Sequence, residues 1–200
     1  MPWKNSMESE IVKILKNGGV GIMPTDTIYG LVGSATSRKT VFRIYKLRKR
    51  NPQKPFIVLI GSLKDLKLFG VKVDGFTRKL LHKVWPGAVS VILPCVRKKF
   101  FYLHRGKKTL AFRFPKNKAL RDFLKQTGPL IAPSANPEGL GPAQNIERAK
   151  KYFGDGVDFY EGTKKMKGLP STIIAVKNGK VEIIREGAVK IDLKIINHQL

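Results

Sequence analysis

Short apolar runs alternate with amphipathic helical patterns along this chain, but several neighbouring runs leave no room for a helix to cross between them. "STIIAV" and "VEIIRE" are separated by "KNGK" alone, and "AVSVILP" and "TLAFRFP" flank a basic loop rather than a helix. Parallel neighbours need a crossover of a dozen or more residues, whereas antiparallel neighbours need only a turn. Asn178-Gly179, set between two alternating runs, is a strong hairpin signal. An α/β fold is therefore expected, with a twisted sheet of mixed direction, parallel and antiparallel, and flanking helices.

The helical stretches lie between these runs. "SMESEIVKILKNGG" places Met7, Ile11, Ile14 and Leu15 on one face, with Glu8 and Glu10 in the first turn and Gly18-Gly19 as its stop. "VGIMP" then reads as a buried strand ended by Pro24, and "TDTIYG" as the loop after it. From Ser37, "SRKTVFRIYKLRKR" turns Val41, Ile44 and Tyr45 inward and lines up Lys39, Arg43, Lys46 and Arg50 as a basic face. "FIVLI" is a second buried strand, and "SLKDLKLFG" opens with Ser62 and Asp65 at capping-box spacing. "DGFTRKLLHKV", "NKALRDFLKQTG" and "PAQNIERAKKYFG" read as helices, and "PLIAP" as a strand. No repeat, linker or shift in composition marks a boundary, so residues 1–200 are expected to form one domain.

Charge narrows the choice of partner. The chain carries 39 Lys and Arg against 14 Asp and Glu, a net charge of +25, which attracts polyanions and anionic metabolites. Cys95 is the only cysteine, which excludes a disulfide framework or a Cys-rich zinc site; it ends an apolar run and reads as a packing residue. His82, His104 and His198 lack metal-ligand spacing and are expected at the surface. No run approaches the length of a membrane span, and the N-terminus lacks the apolar core of a signal peptide, so a soluble cytoplasmic protein is expected. There is no GxxxxGK[ST] loop, no GxGxxG after a strand and no GxSxG elbow.

Four loops carry concentrated polar chemistry. "PTDTIYG" offers Thr25, Thr27 and Tyr29 beside one carboxylate, Asp26, and "APSANPEG" offers Ser134 and Asn136. "LPSTI" brings Ser171 and Thr172 to the start of a strand, and "REG" brings Arg185 to the end of the hairpin. Each alone is ordinary turn chemistry. Together, beside a basic helix, they suit a small polar ligand plus a phosphate chain.

Seven segments in register, from about Ile11 to Val189, resemble the YrdC-like threonylcarbamoyl-AMP synthases: "GGVGIMPTDTIYGL", the basic helix before "KPFIVLI", "WPGAVSVILP", "TLAFRFP", "IAPSANPEG", "LPSTII" and "IIREG". The chain is similar to the short, single-domain form, without the C-terminal extension of longer relatives. The resemblance implies a mixed sheet around a basic cavity. It also implies a reaction in which L-threonine, bicarbonate and ATP give threonylcarbamoyl-AMP and pyrophosphate. Partner proteins then transfer the threonylcarbamoyl group to tRNA. A carbamate attacking the α-phosphate is one anion attacking another, which calls for dense fixed positive charge. Mg²⁺ would be held mainly by the ATP phosphates and water.

The family's K-x-R pattern before the "KP" strand falls on Arg48 and Arg50 in one register and on Lys46 and Arg48 in the other; the length of "NPQ" favours Arg48 and Arg50 as the catalytic pair. Arginine at the lysine position replaces a point donor by a planar fork. By the resemblance, Thr27, Ser134, Ser171 and Arg113 would line the threonine site, with Arg113 suited to a carboxylate. Leu59, where some relatives carry His, would either pack or line the pocket near threonine's methyl. Arg50, Lys54, Thr109, Asn136, Gln144 and Arg185 would contact ATP.

Two rivals remain. An RNA-binding module without catalysis would suit the charge and the aromatic-basic loop "RKKFFYLHRGKK". It would not need Thr27, Ser134, Asn136 and Ser171 in matched loops. A carbamoyl-transfer relative from hydrogenase maturation would carry zinc-finger-like and acylphosphatase-like regions, for which this chain has neither cysteines nor length.

Overall fold

The computed structural model describes residues 5–177, 179–198 and 200. Its strands are β1 (Val20–Pro24), β2 (Tyr29–Ser34), β3 (Ile57–Leu59), β4 (Val89–Pro94), β5 (Thr109–Arg113), β6 (Leu130–Ile131), β7 (Phe159–Tyr160), β8 (Thr172–Lys177) and β9 (Lys180–Arg185). They join in one sheet in the order β7-β1-β2-β6-β3-β5-β4-β8-β9. Pairs β1–β7, β3–β5 and β4–β8 are parallel, and the others are antiparallel. The mixed sheet expected from the short connections is what forms.

The helices are α1 (Asn5–Lys16), α2 (Arg38–Leu47), α3 (Asp65–Leu68), α4 (Gly75–Val84), α5 (Phe101–His104), α6 (Lys118–Thr127), α7 (Ile146–Phe153) and α8 (Leu193–His198). Ser37, Asp74, Asn117 and Asn145 cap α2, α4, α6 and α7 with a side-chain oxygen that accepts a backbone N–H. Asp65 Oδ2 reaches back to the Ser62 N–H at 3.0 Å, the carboxylate half of the capping box read from that spacing.

Helices α1 and α6 cover one face over β1, β2, β3 and β6, through a cluster that includes Leu15, Met23, Leu59, Phe123 and Leu124. The other face carries the larger core, with α2, α4, α5 and α7 packed on Val58, Val91, Phe112 and Ile174. On the α1–α6 face, no helix among the described residues lies over β4, β5 and β8. Ile92, Ala111, Ile173 and Ala175 are therefore only half-buried, while their strand neighbours facing the larger core are fully covered. This uncovered half of the sheet is a shallow apolar floor.

Several expectations need correction. The loop read over residues 25–30 ends at Ile28, and Tyr29 and Gly30 already belong to β2: Gly30 and Gly33 interrupt the apolar pattern, but a side chain at Gly33 would run into Thr40 and Ile44 of α2. In α1 the buried side is Ile11, Val12 and Leu15, while Met7 is 48% exposed. Helix α2 ends at Leu47, so Arg50 leaves the basic face, and Arg43 is tied to Asp158 at 2.6 Å. The basic loop winds into a 3₁₀ turn and α5. Its Phe100 and Tyr102 enter the core, and so does His104, at 3% exposure, contrary to the surface placement. Helix α7 starts at Ile146, after its Asn145 cap. Asn178 of the hairpin turn lies outside the described residues; on either side of it Lys177 pairs with Lys180, and Gly179 has φ +70°. Strand β7 and helix α8 were not anticipated, being only two and six residues long.

Candidate active site

The antiparallel pairing of Pro24 with Tyr29 leaves a four-residue tip, Thr25 to Ile28, between β1 and β2. Thr25 holds the tip together. Its Oγ1 donates to the Ile28 carbonyl at 2.7 Å and accepts from the Thr27 and Ile28 N–H groups, each at 3.3 Å. Thr25 and Thr27 thereby face a cavity of about 130 Å³ on the α1–α6 side of the sheet, beyond the end of that core.

The remaining walls come from the ends of other elements. Arg113 ends β5 and Arg48 caps the C-terminus of α2. Ser134 follows β6 and bridges to Gly30, while Ser171 precedes β8 and Arg185 ends β9. Arg50, Phe56 and Ile57 add to the lining, and among the described residues no Asp, Glu or His is part of it.

Arg48 organises the serine loop. Its Nε donates to the Asn136 carbonyl at 2.7 Å and its Nη2 to Ser134 Oγ at 3.3 Å, while its own carbonyl accepts the Glu138 N–H at 2.7 Å. Burial, reinforced by the nearby Arg50 charge, lowers its pKa to about 10. Arg50 donates to the carbonyls of Lys54 and Pro55 and lies 5.2 Å over the Phe56 ring. Arg185 Nη2 donates to the Ser171 carbonyl at 2.7 Å, and Ser171 Oγ stands 2.9 Å from Ser90 Oγ. Lost solvation, then repulsion from Arg113 and Arg50, lowers the Arg185 pKa. Four guanidinium groups thus share one small space, a strong field for anions.

The structure brings together Thr27, Arg48, Arg50, Arg113, Ser134, Ser171 and Arg185. It leaves the other candidates outside the cavity. Leu59 shares the face of Ile57 but is buried among the α1–α6 core residues, so it packs and Ile57 takes the wall position. Lys54 is at the rim, paired with Glu138 at 2.7 Å. Asn136 stands behind the wall, donating to the Pro137 and Leu140 carbonyls. Thr109 lies on the same face of β5 as Arg113 but at the strand's other end, across Ala111 and the apolar floor. Gln144 lines a separate cavity of about 480 Å³ with Arg148, Lys151 and Lys165. Lys46 is exposed, so of the two basic registers only Arg48 and Arg50 both reach the cavity.

Three participants carried no assigned role in the sequence: Ser90, Glu138 and Asp26. Ser90 is the one polar residue of "AVSVILP", and a hydroxyl in the middle of an apolar run was the available signal. Glu138 is the only carboxylate of "APSANPEG". Asp26 pairs with Arg113 at 2.8 Å, both side chains being almost fully buried.

A family model for Sua5, YciO and YrdC proteins, described as telomere recombination, matches residues 13–187. The chain belongs to this family. It is 27% identical over 179 residues to a putative threonylcarbamoyl-AMP synthase of Mycobacterium tuberculosis, covering 89% of this chain and 82% of that protein. It is 30% identical to the threonylcarbamoyl-AMP synthase of Marinobacter nauticus, over 82% of this chain and 87% of the relative. Among solved structures, P. abyssi Sua5 complexed with L-threonine matches with TM-score 0.86 at 22% identity, covering 100% of this chain and 59% of that one. E. coli YciO matches with TM-score 0.83 at 23% identity, over 94% and 93% of the two chains. The family fold, a mixed sheet flanked by helices, is the one described above.

Proposed function

We propose that this protein is a threonylcarbamoyl-AMP synthase, a nucleotidyltransferase that forms threonylcarbamoyl-AMP and pyrophosphate from L-threonine, bicarbonate and ATP. The observation that carries the reading is the single cavity in which Thr27, Ser134 and Ser171 meet Arg48, Arg50, Arg113 and Arg185. Hydroxyls without a nucleophile's base suit recognition, and clustered guanidiniums suit carboxylate and phosphate groups.

The enclosed 130 Å³ is below the roughly 300–1,000 Å³ of usual ligand cavities. It suits the amino acid, with its carboxylate on Arg113 and its hydroxyl among Thr27, Ser134 and Ser171. The nucleotide then lies along the half-exposed floor toward Thr109, with its phosphates between Arg50, Lys54 and Arg185. Asn136 supports that wall from behind, and Gln144 meets a more distant part of the nucleotide. The carbamate oxygen attacks the α-phosphate, and Arg48 and Arg50 balance the charge that builds up as pyrophosphate leaves. Nucleotidyl transfer rests on alignment and electrostatics, so the site needs no histidine or cysteine nucleophile. Among the described residues no group of three or more His, Cys, Asp or Glu could hold a metal ion, and Mg²⁺ enters as part of the nucleotide substrate.

The product is an activated acyl donor for tRNA-modifying partner proteins in the cytoplasm, and residues 1–200 act as one domain. No helix among the described residues is long and apolar enough to cross a membrane. The RNA-clamp alternative keeps only Phe101 of its three loop aromatics at the surface, because Phe100 and Tyr102 are core residues. The deciding experiment is pyrophosphate release from ATP with threonine and bicarbonate each omitted in turn. Release that needs both establishes the reaction; release indifferent to threonine overturns it.

A further inference from the structure

Resting on that reading, the chemistry of the first step poses a problem that the cavity wall does not solve. Threonine enters as an ammonium. The balance is R–NH₃⁺ + HCO₃⁻ → R–NH–COO⁻ + H₂O + H⁺: the N–C bond forms, a C–O bond of bicarbonate breaks, and one ammonium proton leaves in water. The other must be accepted by a base. The cavity is lined by four arginines and, among the described residues, by no carboxylate or imidazole. Glu138 at the rim is a poor acceptor: the Lys54 ammonium and the Asn51 N–H hold its pKa at about 2.

One carboxylate adjoins the cavity. Asp26 sits between Thr25 and Thr27, both of which face the ligand space, and its Oδ1 is 2.8 Å from Nη2 of Arg113, which also faces it. The two side chains are 5% and 4% exposed. Beyond that one contact, Asp26 Oδ2 and Arg113 Nε have no hydrogen-bond partner among the described residues. A buried ion pair is favourable only when its remaining donors and acceptors are satisfied. Buried polar atoms left without partners call for an explanation such as an absent ligand. Here the orphans are of opposite kinds and adjacent, one acceptor on an anion and one donor on a cation. Their complement is a zwitterion, whose carboxylate accepts from the guanidinium while its ammonium donates to the carboxylate.

We infer that Asp26 is a catalytic residue of this site: the substrate carboxylate displaces it from Arg113, and it then takes the α-ammonium and accepts the proton released when the carbamate forms. Asp26 occupies Arg113 until an α-amino acid arrives, so the base is uncovered only when its substrate is present. This also sets specificity, because a hydroxy acid or a free anion satisfies the arginine and leaves Asp26 unpaired.

The surroundings of Asp26 are charged on both sides. Arg113 of β5 faces it directly. Lys83 of α4, Lys116 after β5, and Lys190 and Asp192 before α8 line, together with Asp26, a second cavity of about 650 Å³, and Asp26 meets the smaller cavity only through Arg113 and its neighbours Thr25 and Thr27. All of these remain when Asp26 alone is changed, so a difference between variants reports the carboxylate.

The test is pyrophosphate release with ATP, L-threonine and bicarbonate, followed across pH. If the unaltered protein releases none, the synthase reading fails first and this inference with it. If it does, Asp26→Asn at neutral pH is expected to lose about 10²- to 10⁴-fold in turnover, the usual weight of a general base. That loss should shrink in proportion to hydroxide as the pH rises and the amine frees itself. Asp26→Glu keeps a carboxylate and should retain the unaltered pH profile at reduced rate. A loss in Asp26→Asn that is equal at every pH overturns the inference and leaves Asp26 a brace for Arg113. Should Asp26→Asn not fold, binding to the unaltered protein decides. L-threonine is expected to bind at least tenfold more tightly than 3-hydroxybutyrate, which lacks the α-amine; equal affinity overturns the inference.

Discussion

Arg113 and Asp26 meet as an ion pair at 2.8 Å, one at the end of β5 and the other at the tip between β1 and β2, with 4% and 5% of their side chains exposed. Removing one partner leaves the other charge buried, at a cost of about 3–5 kcal/mol. Arg113→Ala should therefore lower the urea midpoint markedly. The double change Arg113→Met, Asp26→Leu, which removes both charges and keeps volume, should recover most of that stability. Both proteins should be inactive in pyrophosphate release. An Arg113→Ala protein as stable as the parent would mean the pair is solvated in solution.

Arg50 offers the opposite balance of stability and activity. Among the described residues its hydrogen bonds go to the Lys54 and Pro55 carbonyls, and it stands at the cavity wall. Arg50→Ala should cost about 1–2 kcal/mol in stability, the worth of two partly exposed hydrogen bonds. Turnover should fall by about 10²- to 10³-fold, as when one donor to developing charge is lost. Urea unfolding and pyrophosphate release on the same preparation separate the two effects.

In the register that puts both basic residues at the cavity, Arg48 stands where the family resemblance implies a lysine, and its fork is in use. Nε and Nη2 serve different acceptors, the Asn136 carbonyl and Ser134 Oγ. A lysine cannot make both contacts in that geometry. Arg48→Lys should therefore loosen the loop that carries Ser134, raising the threonine KM several-fold and costing about 1–2 kcal/mol for the carbonyl left without its donor. An unchanged KM would show that the loop is held by the Asn136 amide alone.

Much of this was legible in the sequence because the signals were local. The strand-ending prolines, the helix caps and the Asn178-Gly179 turn depend on neighbours within a few residues, and the paired strands β8 and β9 follow from them. What escaped depended on distant partners. Strand β2 is hidden because Gly33 is dictated by Thr40 and Ile44 across the sheet, not by strand propensity. His104 and Tyr102 look like part of a basic surface loop, yet the Tyr102 hydroxyl donates to the Ala35 carbonyl at 3.0 Å, 67 residues away. Leu59 could not be told from Ile57 by period alone. Both lie on one face of β3, and only the extent of the α1–α6 cover decides which of them meets the cavity.

Glu138 gives a pH signature for the site's rim. Its carboxyl is depressed from 4.5 to about 2, chiefly by the Lys54 ammonium and then by the Asn51 N–H. A depressed carboxyl stabilises the folded state fully above its unfolded value and loses that contribution as pH falls from 4.5 toward 2. The Lys54 link to the serine loop should therefore persist at neutral pH and open only in acid. Glu138→Gln should remove this part of the acid sensitivity, seen as a smaller drop in urea midpoint between pH 5 and pH 3. A titration of Glu138 near 4.5 by carboxyl NMR would contradict the contact.

The uncovered half of the sheet tests where the nucleotide lies. Ala111 is half-exposed midway between Arg113 and Thr109, and it pairs with Ile92 on one side and Ile57 on the other. A large side chain there rises into the floor without disturbing the core behind it, which belongs to Leu110 and Phe112. Ala111→Phe should leave urea stability within about 0.5 kcal/mol, as for substitutions away from a packed core. Threonine binding should stay intact, since the site proposed for the amino acid is beside Arg113. ATP affinity should fall at least tenfold, about 1.4 kcal/mol. Calorimetry with each ligand separately reads both numbers. Loss of threonine binding together with ATP would place the two substrates in the same enclosed cavity; loss of neither would move the nucleotide off β5 altogether.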